Sequence, residues 1–125
     1  MKEAYEFLLS FPDRLYPHGR AAYEAAQAAD YARYGDGHLG LALLLYREAF
    51  HLLGGVLVAL VALGAARLLK SDAAFWALFA VAVACIAFQE FYFHPVHYGQ
   101  PLYKGVADFL AWTLPLAVAA WYLAR

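Results

Sequence analysis

From Leu39 to the C-terminus the chain is built of three long apolar segments separated by short polar clusters. Leu39 to Lys70 reads as one long helix. Its central part, Leu52 to Leu69, is long enough to cross a bilayer at ~1.5 Å per residue. Arg67, Lys70, Ser71 and Asp72 form a polar turn in which Ser71 or Asp72 caps the next helix. Ala74 to Phe93 is the second span, and the segment from Pro95 to Pro101 a short loop. Gly105 to Leu123 is the third span, with Pro115 kinking its middle.

The first forty residues carry another pattern. Lys2 to Phe11 reads as a short helix, Pro12 and Pro17 break the chain after it, and Ser10 with Asp13 offers a cap. Arg20 to Tyr34 is Ala-rich and free of Gly and Pro, a helix that Gly35-Asp36-Gly37 ends. Tyr23, Gln27, Asp30, Tyr31 and Tyr34 share one side of it. With few Leu or Phe, it lies near the membrane surface instead of spanning it. The expected fold is therefore all-α: an integral membrane bundle of three transmembrane helices (about 52–69, 74–93 and 105–123) with one or two N-terminal interfacial helices. Residues 1–37 form the surface segment and 38–125 the transmembrane domain.

Composition agrees. Hydrophobic residues make up 65% of the chain and charged residues 15%, and the formal charge of −1 offers no field to attract nucleic acid. The single thiol, Cys85, excludes an intrachain disulfide. No signal peptide or lipidation pattern is apparent. The expected location is the cell membrane, as a multi-pass protein among lipids. So little buried surface per helix makes a homo-oligomer or a larger membrane complex the expected assembly. Ala73 with Ala77, and Ala80 with Ala84, give a spacing that lets helices approach closely.

Three spans bring distant polar residues to one depth on one face. Glu48 and His51 open the first span, Glu90 and His94 close the second, and Asp108 opens the third. Such residues are costly in a membrane, and they face the bundle interior and pair there. Glu48 and His51 are i, i+3, and Glu90 and His94 are i, i+4, so each pair shares a helix face. Bundles build metal sites from this arrangement. The expected metal ligands are Glu48, His51, Glu90, His94 and His97. The last of these can fold back because the residue before Pro95 leaves the helical region. Glu90 and His94 are the candidate catalytic pair, with Arg47, Tyr92 and Asp108 in supporting contacts. Carboxylate and imidazole together suit a zinc or iron ion better than magnesium or calcium.

Absent motifs narrow the chemistry. There is no HExxH helix, no Gly-rich phosphate loop and no nucleophile elbow, and the two serines, Ser10 and Ser71, lie far from the polar group. Bis-imidazole haem ligation is disfavoured by the adjacent carboxylates. Ion conduction is disfavoured because half of each span is purely apolar. The functional expectation is a Glu/His site that binds a metal or relays protons for chemistry on a lipid-soluble substrate. The competing expectation is a non-catalytic helical subunit or assembly factor of a larger membrane complex.

Overall fold

The computed structural model describes Phe7 and residues 10–125, and among these every element is helical. The helices are α1 (Phe11–Leu15), α2 (Arg20–Tyr34), α3 (Leu41–Leu69), α4 (Asp72–Phe88), α5 (His94–Tyr98) and α6 (Leu102–Leu123). A π-helical segment, Gln89–Phe93, joins α4 to α5. The helix expected over Lys2–Phe11 lies for the most part outside the described residues. The chain divides into two compact units, Met1–Arg47 and Glu48–Arg125, with the boundary inside α3.

The first unit is organised around Tyr23, buried with Leu39 and Leu43 and flanked by Tyr16, Ala26, Tyr31 and Tyr46. The Tyr16 ring stands edge-on to those of Tyr23 and Tyr46, at 5.5 and 5.0 Å between centroids. Their hydroxyls keep polar partners, as amphipathic rings require: the Arg47 guanidinium donates to the Tyr23 hydroxyl at 2.7 Å, and the Tyr46 hydroxyl donates to the Pro12 carbonyl at 2.8 Å. The Gly40 amide donates to Asp30 at 2.8 Å, tying the end of α2 to the start of α3. Ser10 does not cap α1 with its side chain. Its hydroxyl donates back to the Phe7 carbonyl instead, at 3.2 Å.

The second unit holds three helical stretches long and apolar enough to cross a membrane when α3 is counted whole: Leu41–Leu69, Asp72–Tyr98 and Leu102–Leu123. Its core inverts the pattern of a water-soluble bundle. Four of its six buried residues are small (Ala59, Ala62, Ala66 and Ala119), joined by Phe75 and Leu116, while Leu53, Leu57, Leu60, Val61, Leu110, Leu114 and Val118 point outward. Lipid is as apolar as Leu, so small residues are kept for the interface, where they let backbones approach. The small residues that are fully buried are on α3 and α6, with Ala82 of α4 partly buried against them. Ala73, Ala77, Ala80 and Ala84, whose spacing pointed to close packing, are exposed.

At Gly54 and Gly55 α3 comes close to α6. A Cβ on Gly54 would collide with the Trp112 ring, and one on Gly55 with the Trp112 carbonyl. Helix α6 runs through Pro115 without interruption. The turn after α3 is a Schellman closure: the Ser71 amide donates to the Ala66 carbonyl at 3.0 Å and the Lys70 amide to the Arg67 carbonyl at 3.4 Å. Lys70 occupies the left-handed position, φ 49°, that glycine usually takes. Ser71 is the N-cap of α4 but makes no side-chain cap bond.

The second span differs most from expectation. Pro95 does not end the helix, and His94 keeps right-handed helical angles, φ −65° and ψ −45°. The reason is the π segment. Its wider turn bonds the His94 amide to the Gln89 carbonyl, five residues back. Carbonyls displaced from the α register no longer meet the proline ring, and its missing N–H falls where the ladder is already shifted. The stretch therefore continues to Tyr98 and closes on Gly99 in the left-handed conformation, φ 63°.

Candidate metal centre

Glu90 lies in the π segment, where a local change of pitch re-aims a side chain, and it is wholly buried. Its approach to α6 depends on Gly105, where a Cβ would come 2.8 Å from the Glu90 carbonyl oxygen. Asp108, one turn further along α6, is 1% exposed. Glu48 and His51 face it from α3.

The carboxylates and imidazoles form two groups that share Asp108. One is Glu48, His51 and Asp108; the other is Glu90, His94 and Asp108. In each, the ligand atoms lie within 4.8 Å of one another. The Asp108 carboxylate is split between them. Its Oδ1 is 3.3 Å from His51 Nδ1, and its Oδ2 accepts from Gln100 Nε2 at 3.3 Å with Lys104 Nζ at 3.9 Å.

The two groups differ in kind. Among the described residues the contacts of Glu90 are ordinary hydrogen bonds: Glu90 Oε2 is 3.0 Å from His94 Nδ1 and accepts from Gln100 Nε2 at 3.0 Å, while Oε1 accepts from Gln89 Nε2 at 3.0 Å. In the Glu48 group, His51 Nδ1 stands 3.3 Å from both Glu48 Oε2 and Asp108 Oδ1. One imidazole N–H cannot serve two carboxylates well, and 3.3 Å is long for a charge-assisted bond. Tetrahedral ligands on bonds of about 2.0–2.1 Å stand about 3.3–3.4 Å apart. The spacing fits that edge. The His51 ring is held in place by Trp112, stacked at 5.8 Å between centroids and 29° between planes.

Among the described residues the network contains three carboxylates and one ammonium, Lys104, which lies 3.9 Å from Asp108 Oδ2 and donates to the side-chain amide oxygen of Gln100 at 3.3 Å. Buried charge is costly unless paired, and a bound cation or protonated imidazole can balance such a group.

Other expected site residues fall elsewhere. His97 is exposed, with its ring 4.5 Å from that of Phe93, and it joins neither group. The fold-back envisaged for it depended on a chain break at Pro95, and continuous helix turns it outward. Tyr92 is exposed against Phe88. Arg47 belongs to the first unit and donates to Tyr23. Asp108, expected only in support, is common to both groups. Gln100 and Gln89 were not singled out from the sequence. The one available signal was Gln100 placed i, i+4 from Lys104, which is itself i, i+4 from Asp108.

The molecule is thus defined as an all-helical protein with three membrane-spanning-type helices and a buried Glu/His/Asp group. Comparison with protein-family models, curated proteins and solved structures finds no match.

Proposed function

We propose that this is a multi-pass membrane protein that binds one divalent zinc or iron ion at Glu48, His51 and Asp108. The observation that carries this reading is His51 Nδ1 at 3.3 Å from two carboxylate oxygens on two helices. Three protein ligands leave a position open, as in catalytic zinc sites, where a bound water is made acidic or a carbonyl polarised. Glu90 and His94, linked to Asp108 through Gln100, form a buried carboxylate–imidazole arm beside that position, suited to accept a proton from a ligand there. The reading is a metal-assisted reaction on a lipid-soluble substrate that reaches the site from the bilayer.

Elemental mass spectrometry of the detergent-purified chain tests it. The expected result is close to one zinc or iron per chain, lost in His51→Ala and Asp108→Asn and kept in His97→Ala. A folded protein purified without metal, and taking up none when offered zinc or iron(II), overturns the reading. It would favour a second one that the same contacts support: both imidazoles protonated, balancing the carboxylates together with Lys104, in a network that relays protons.

A further inference from the structure

At the opposite end of the second unit, a groove of about 520 Å³ runs between the end of α3, the start of α4 and the end of α6. Its volume lies in the range of small-molecule sites, about 300–1,000 Å³. Leu60, Leu63, Ala66 and Leu123 supply apolar wall. Gly64 also lines it, and a Cβ there would meet nothing within 4 Å. Arg67 and Lys70 stand at the mouth.

These two cations are unlike Lys104, which is held by Asp108 and Gln100 in the buried network. Both are exposed, and among the described residues neither is paired with a carboxylate. Asp72 is also on the lining, so the mouth keeps a net positive charge. Lys70 further sits in the left-handed backbone position of the Schellman turn, φ 49°. A side chain there costs stability that glycine would not. Strain of this kind is found where a residue serves something other than stability.

An apolar groove with free cations at its mouth, at the end of three membrane-spanning-type helices, matches one ligand chemistry. We infer that the groove holds an acyl chain of an anionic phospholipid, with its phosphate headgroup on Arg67 and Lys70. Basic side chains at a span end attract anionic lipid headgroups. The apolar wall accounts for binding a lipid in preference to a free phosphate. This site is separate from the metal centre and does not depend on it.

Native mass spectrometry of the full chain in detergent, with dioleoylphosphatidylglycerol or dioleoylphosphatidylcholine in the micelle, tests the inference. The wild type is expected to retain phosphatidylglycerol at least about tenfold better. Arg67→Gln with Lys70→Gly should abolish that preference. Lys70→Gly alone should weaken it while raising the thermal midpoint, which excludes misfolding as the cause. Gly64→Leu should lower retention of phosphatidylglycerol by filling the groove. Equal retention of the two lipids by the wild type overturns the inference, as does a preference that survives the double substitution. Retention unchanged in Gly64→Leu overturns it too, because the acyl chain then lies elsewhere.

Discussion

Asp108 places one carboxylate oxygen 3.3 Å from His51 Nδ1, and through its other oxygen takes a hydrogen bond from Gln100. That single side chain joins the Glu48–His51 pair to the Glu90–His94 pair, and each trio could hold an ion. Most of the expected behaviour of the site stems from this division.

Metal binding should be visible from inside the protein. Trp112 stacks on His51, whereas Trp76 and Trp121 belong to neither group. Cobalt(II) or nickel(II) should quench Trp fluorescence and saturate at one equivalent. Trp112→Phe should remove most of the quenching while the metal is still bound by equilibrium dialysis. Quenching that persists in Trp112→Phe would place the ion elsewhere.

Removing the support of Asp108 should weaken the ion without abolishing it. Gln100→Ala takes away the donor that bridges Asp108 to Glu90. Changes to groups that orient metal ligands cost roughly 10–100-fold in affinity. A competition titration should find Gln100→Ala in that range and His51→Ala well beyond it.

Acid should release the metal. The ligands bind as carboxylates and neutral imidazole, so protons compete with the ion. Occupancy measured after dialysis should fall monotonically as pH is lowered, and should recover when metal is supplied again at neutral pH.

Gly105→Ala should destabilise the second unit by about 1–3 kcal/mol, the usual cost of overpacking. The new Cβ would come 2.8 Å from the Glu90 carbonyl, a backbone atom that cannot move without the π segment. The thermal midpoint in detergent checks this, and metal occupancy should fall with it because Asp108 lies one turn away on the same helix.

In the first unit, burial raises the Asp13 carboxyl pKa above its ordinary value, with Arg47 and Arg20 pulling it part of the way back. The folded chain therefore holds this proton more tightly than the unfolded one. That favours folding below the unfolded pKa and is lost as pH rises through the folded pKa. Asp13→Asn should accordingly gain stability relative to wild type as pH rises from below the ordinary carboxyl pKa to neutrality. Melting curves at both ends of that interval decide it.

Much of the architecture was legible from residue order. Glu48 with His51, and Glu90 with His94, were recognisable as same-face pairs because i, i+3 and i, i+4 spacing is a local property of helices. His97 was misplaced because the restriction before proline is also local, whereas the π segment that relaxes it is a change of pitch across Gln89–Phe93. Gln100 looked like a loop residue, and only the return of α6 beside the π segment puts its amide between Glu90 and Asp108.

The sequence alone determined that this chain forms three long apolar helices with their glutamates and histidines gathered at one end, because length, hydropathy and short-range spacing are properties of the chain itself. The tertiary structure decided which carboxylate is shared between the two groups and which cations remain free at the far groove. Those are distances between helices, set by where Gly54, Gly55 and Gly105 let backbones meet.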